Sequence, residues 1–95
     1  SDNQIMDAKA LVDAAGIGAE PASCATVAGI RRLVEDGVIK SEDKVVGILT
    51  GHLLKDPNVV VKYHTNNLDD INSQRANAPI SASADIDEIR RIIRQ

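Results

Sequence analysis

VVGILTGHLLKDP, residues 45–57, is the stretch on which the fold reading turns. VVGILT at 45–50 is a nearly continuous apolar run of strand length, the pattern of a strand covered on both faces in an α/β sheet. It leads directly into Gly51 and His52. A strand that ends in a hydroxyl followed by a glycine is a usual address for ligands in open α/β sheets. The hydroxyl forms a hydrogen bond, and the glycine lets a ligand approach the backbone. Asp56-Pro57-Asn58 then reads as a turn, and VVVKYH at 59–64 is expected to be a second strand. SEDK at 41–44 is a solvated turn on the other side.

Upstream lie two helical patterns. In IMDAKALVDAA at 5–15, Ile5, Ala8, Val12 and Ala15 recur at helical spacing with Leu11 beside them. Asp7, Lys9 and Asp13 lie elsewhere on the helix, and Gly16 caps its end. GIGAEP at 16–21 interrupts the pattern. Pro21 suits the first turn of a second helix, PASCATVAGIRRLVED at 21–36, where its missing N–H costs nothing. The early face of that helix is small (Ala22, Ser23, Cys24, Ala25, Ala28, Gly29) and permits close approach of a neighbour or a ligand. Gly37 stops it.

Downstream, TNNLDDINSQRANAP at 65–79 reads as an exposed, weakly structured excursion, and ISAS at 80–83 as a short edge strand. Asp85 opens a last helix with Glu88 as a capping-box partner, and Ile86, Ile89 and Ile93 are its expected buried stripe. The whole is 95 residues, one α/β unit of about three helices and two or three strands. It has 43% apolar residues and a net charge of −3. Eleven basic against fourteen acidic residues leave no surplus for a phosphate backbone, so nucleic acid is not an expected partner. No apolar run approaches the ~18–20 residues of a membrane span. One cysteine forms no internal disulfide, no zinc-ligand spacing is present, and a reducing cytoplasm fits. With one tyrosine and neither phenylalanine nor tryptophan, the core has to be built from small aliphatic residues.

Three segments are candidates for chemistry: 16–26, 50–57 and 63–64. From spacing alone, Glu20 ahead of Pro21 is a negative charge at a helix N-terminus. Ser23 and Thr26 are first-turn residues. Cys24 reads as a small buried packer, with no histidine near it in sequence. His52 and His64 read as hydrogen-bonded structural groups. Thr50 with Gly51 is a suggestive binding constellation rather than a diagnosis.

DAKALVDAAGIGAEPASCATVAGIRRLVEDGVI at 7–39, with VVGILTGHLLKDP at 45–57, closely resembles the C-terminal part of the threonine synthase family. GIG-x-EPAS followed by LTGH-x-LKDP carries the resemblance, and YHT at 63–65, RANAPI at 75–80 and DIDEIRRII at 85–93 extend it more weakly. Family members commonly carry cysteine at the position of Ala19, alanine at that of Cys24 and glycine at that of Leu53. The resemblance implies the C-terminal portion of the large α/β domain of a fold shared with tryptophan synthase β, with 1–95 a single segment. It implies pyridoxal phosphate in the complete enzyme and none held by this segment alone. It also implies conversion of O-phospho-L-homoserine and water to L-threonine and phosphate.

By the same resemblance Thr50 meets the pyridine nitrogen of the cofactor, and Glu20 and Gly51 line its site. A neutral hydroxyl there leaves the ring less electron-withdrawing than an aspartate would. His52 is expected to shape the pocket wall rather than act as a base. The Schiff-base lysine and the phosphate loop belong to upstream sequence. Lys9, Lys40, Lys44, Lys55 and Lys62 do not sit in that lysine's context, so the segment has no catalytic residue of its own. Its expected partners are the N-terminal region of the same enzyme and further copies, and the Ser1-Asp2 start fits a fragment. Two alternatives remain, an independent folding or oligomerisation module and a related enzyme such as threonine dehydratase. The LTGH-x-LKDP segment speaks against the latter.

Overall fold

A computed structural model describes residues 1–95. It contains four α-helices: α1 (Asp2–Ala14), α2 (Pro21–Glu35), α3 (Pro57–His64) and α4 (Ile86–Ile93), with one 3-10 turn at Leu53–Lys55. Helix ends follow local chemistry. After α1, the N–H groups of Gly16 and Ile17 donate to the carbonyls of Asp13 and Val12, and Gly16 takes φ +76°. This Schellman closure requires a left-handed residue, which glycine adopts without steric cost. The same closure ends α2 at Gly37 and α3 at Asn66.

The expected strands are not present, which corrects the mixed α/β reading. Residues 45–50 have no ladder partner. They run antiparallel to α2, back to its N-terminus, where Thr50 N–H donates to Ser23 Oγ at 2.6 Å. A strand is defined by the backbone it pairs with, and this chain supplies none. Val46 and Ile48 remain 88% and 74% exposed, so the double covering implied by the apolar run is missing too. Residues 59–64 are helical. Pro57 sits at the first helical position, and Val59 and Tyr63, four apart, face the same cluster. Packing at helical spacing overrides the strand propensity of three successive valines. ISAS at 80–83 is also irregular and exposed.

Helix α1 is the centre of the molecule. Met6 and Ala10 pack with Tyr63, and Val59, Leu68 and Ile71 lie against them. Val12 packs with Ala19 and Cys24, flanked by Ile5, Val27 and Leu49. With two faces covered, α1 also buries Lys9, paired with Asp13 at 2.5 Å, whereas Ala15 is exposed. The simple amphipathic reading of α1 is corrected accordingly. Cys24 is fully buried, as its small-residue face suggested.

The 65–79 excursion has no regular structure, but side-chain acceptors pin it. Asn3 Oδ1 accepts from Asn72 N–H, Tyr63 Oη from Arg75 N–H and His64 Nδ1 from Asn77 N–H. Beyond it, Asp85 caps α4 by accepting from the N–H groups of Asp87 and Glu88. The Glu88 carboxylate takes the Ser83 hydroxyl instead of closing a capping box. The isoleucine stripe is not buried: Ile86 is 60% and Ile93 77% exposed, and no other helix packs extensively against α4.

Candidate functional site

The site grows from two backbone breaks that meet in space. In the first, Gly18 turns the chain at φ +67°, and a Cβ there would stand 3.1 Å from the Leu53 Cβ. The 16–20 loop therefore rests on the 3-10 turn. In the second, Gly51 takes φ +68° directly after Thr50. A Cβ on Gly51 would fall 2.5 Å from Glu20 Cδ, so the Glu20 side chain lies across this glycine in space that any other residue would fill.

Glu20, Thr50 and Gly51, candidates drawn from segments thirty positions apart, are thus brought together. Thr50 is held through its backbone on both sides: its N–H donates to the buried Ser23 Oγ, and its carbonyl accepts from Glu20 N–H at 3.4 Å. Its hydroxyl donates to Glu20 Oε1 at 3.4 Å, at the long end of a hydrogen bond. Glu20 Oε2 forms an ion pair with Lys55 Nζ. The Glu20 carboxyl is lowered below its ordinary 4.5, chiefly by the hydrogen bond from Lys55, against a smaller opposing effect of desolvation. Although Glu20 is the N-cap residue of α2, its carboxylate caps no backbone N–H. It serves the junction instead of the helix end.

The remaining candidates fall outside this cluster. His52 Nδ1 accepts from Leu54 N–H at 3.1 Å and so caps the 3-10 turn. His64 anchors Asn77. Burial pushes the Cys24 thiol up from its ordinary value, the environment of a packing residue. No group of three or more His, Cys, Asp or Glu side chains converges as a metal site would require. A polar cleft between α1, α2 and residues 72–74, lined by Asp7, Arg31, Arg32 and neighbouring amides, shares no residue with the junction.

Two members of the cluster escape sequence reasoning. Lys55 is 35 positions from its partner Glu20, and Ser23 is 27 from Thr50. The one available signal was that both lie inside the quoted motifs.

No family model matches the chain. A threonine synthase of Methanosarcina acetivorans is 45% identical over 94 residues, covering 98% of this chain and 20% of that protein. The threonine synthase of Methanocaldococcus jannaschii is 32% identical over 96 residues, covering 100% of the chain and 21% of that protein. The chloroplastic threonine synthase 2 of Arabidopsis thaliana is 26% identical over 95 residues, 18% of its length. The chain spans about one fifth of the length of the curated relatives it matches.

Proposed function

Because the chain belongs to the threonine synthase family and matches its C-terminal segment, we propose that it completes the cofactor site of such an enzyme. The whole protein then converts O-phospho-L-homoserine and water to L-threonine and phosphate with pyridoxal phosphate. The observation that carries this reading is the junction itself. The two motifs of the family resemblance meet through Glu20, Thr50 and Gly51.

The residues at the junction fit one end of the cofactor. A pyridine nitrogen calls for a single hydrogen-bonding group at the edge of the ring. Thr50 offers an exposed hydroxyl, and Gly51, with no side chain of its own, leaves the Glu20 side chain room to reach it. Thr50 would hold the ring nitrogen, Gly51 would admit Glu20 to the junction, and Glu20 would fix the hydroxyl's orientation. Pyridoxal phosphate, when bound, supplies an electron sink for the proton transfers, phosphate elimination and water addition of the reaction. The covalent lysine and the phosphate cradle fall to upstream sequence by the resemblance, so the 95-residue chain by itself is inactive and holds no cofactor.

The same reading accounts for residues 45–50. Joined to upstream strands they complete an α/β sheet, and the exposed Val46 and Ile48 gain cover. The segment 1–95 is then a portion of one large domain. Its partners are the upstream region and further copies of the enzyme, in the cytoplasm. No helix is long and apolar enough to cross a membrane. The test is Thr50→Val in the full-length protein. The absorbance of bound cofactor should shift and turnover should fall about 10-fold or more, a loss of at least ~1.4 kcal/mol of transition-state stabilisation. Unchanged spectrum and rate would contradict the assigned contact.

A further inference from the structure

Two apolar surfaces of the chain lack a partner, and the charges beside them are opposite. The first is a groove between α1, α3 and residues 68–71. Ile5, Met6, Val59, Leu68 and Ile71 line it, with the exposed Asp2 and Asp69 beside them and no lysine, arginine or histidine. The second is α4. Ile86, Ile89 and Ile93 recur there at helical spacing, and Ile86 and Ile93 are largely exposed. At 3.6 residues per turn, Arg90 and Arg94 fall along one edge of that stripe.

We infer that the groove is the seat of α4 from a second copy of the enzyme, with its isoleucines inward and Arg90 and Arg94 set against Asp2 and Asp69. The inference rests on the reading that further copies are partners, and it names the contact through which they meet. It is independent of the Thr50 assignment.

Each copy carries one groove and one helix, so the exchange is reciprocal and closes as a two-fold dimer with two equal contacts. Removing the isoleucines from water supplies the affinity. The charges supply the direction. Asp87 and Glu88 stand in the first turn of α4 and the arginines follow them, so a helix seated in reverse would bring carboxylates to the acidic side of the groove. The chain does not return α4 to its own groove. His64 holds Asn77 at the start of the connecting segment and Ser83 holds Glu88 at its end, and α4 packs extensively against neither α1 nor α3. The pairing belongs to the full-length enzyme, where the upstream region orders the body that holds the groove.

The test is sedimentation of the full-length protein over a range of concentrations. Wild type should form a dimer. Its dissociation constant should weaken at least 10-fold in Arg90→Asp with Arg94→Asp, and equally in Asp2→Lys with Asp69→Lys. Combining the four changes should restore pairing. All four positions are exposed, so the exchanges leave the fold standing. In a second measurement, full-length Leu68→Cys and full-length Ile89→Cys are mixed under oxidising conditions. A covalent two-chain product should form in the mixture and in neither preparation alone. A dimer indifferent to both charge pairs, with no mixed product, overturns the contact and leaves further copies as partners. A wild type that stays monomeric overturns both. An internal disulfide in the chain carrying both cysteines, without a two-chain product, makes the chain's own α4 the occupant and overturns the inference. Threonine formation by wild type tests the enzymatic reading and has no bearing on the contact, so the two fail separately.

Discussion

Tyr63 shows how much one residue holds together. Its hydroxyl donates to Asp7 at 2.5 Å and accepts from Arg75 N–H at 3.1 Å, which ties α1, α3 and the 65–79 segment at one oxygen. Burial, then the Asp7 hydrogen bond, push its ionisation up to about 12 from an ordinary 10. Because the folded value is raised, the contribution is complete below pH 10 and is lost as pH climbs from there toward 12. Tyr63→Phe should cost about 1–3 kcal/mol, since it strands a carboxylate oxygen and a backbone N–H. Urea melts near pH 8 and near pH 11 should converge for the two proteins. A Tyr63→Phe penalty equal at both pH values would contradict the assignment. Glu20 runs the other way. Its lowered value gives a contribution that is present above 4.5 and lost as pH falls through the folded value.

Gly51→Ala sets a left-handed backbone and a 2.5 Å contact with Glu20 against an added methyl. Roughly 1–2 kcal/mol of backbone strain follows, and Glu20 has to leave Thr50. Its carboxyl titration should rise toward 4.5, which carbon-13 resonances would register; an unchanged titration would contradict the close packing. Thr50 and Gly51 stood out by local chemistry, a hydroxyl and a bare backbone after an apolar run. Glu20 stood out only through the family resemblance: spacing alone made it a helix-end charge, and its carboxylate turns to Thr50 and Lys55 instead. Lys55 and Ser23 did not stand out, because their roles exist only once distant segments meet.

At the scale of elements, what sequence reveals is ends. Gly16, Pro21, Gly37 and Asp85 mark helix boundaries within a few residues of those observed. The failures concern partners. Pro57 carried the same first-turn signal as Pro21, yet three valines after it suggested a strand; the face that Val59 shares with Tyr63 decided for a helix. Residues 45–50 have strand composition and nothing to pair with, and no local pattern reveals whether a partner exists. Helix α4 illustrates the same dependence. Eight residues with an uncovered apolar stripe are marginal in water, so the Asp85 cap has a large share in keeping it. Asp85→Ala should cost about 1 kcal/mol of helix stability. Helical carbon shifts over 86–93 should collapse while those of α1 and α2 hold; retained shifts would show that something covers the stripe.

At the scale of the molecule, a radius of gyration of 15.9 Å exceeds the about 12 Å expected of a compact chain this long. Ten of 95 residues are buried, six of them in two small apolar clusters on either side of α1, which is little apolar burial to set against the entropy of ordering the chain. The scarcity of aromatics is consistent with this: the single tyrosine packs with Met6 and Ala10 in one cluster, and Val12, Ala19 and Cys24 make the other. Cys24 reports on the whole. Its thiol is fully buried between α1 and α2, so labelling by a thiol reagent requires those helices to part. Labelling should be at least about 10-fold slower in the full-length protein than in the 95-residue chain, because upstream cover raises the opening free energy by more than ~1.4 kcal/mol. Equal rates would argue for a self-sufficient module.

The account stands most directly on one assay: phosphate and L-threonine released from O-phospho-L-homoserine, measured with pyridoxal phosphate for the full-length protein and for residues 1–95 alone. The full-length protein should release both in equal amounts and the 95-residue chain neither. Threonine formed by the chain alone, or none formed by the full-length protein, would contradict it.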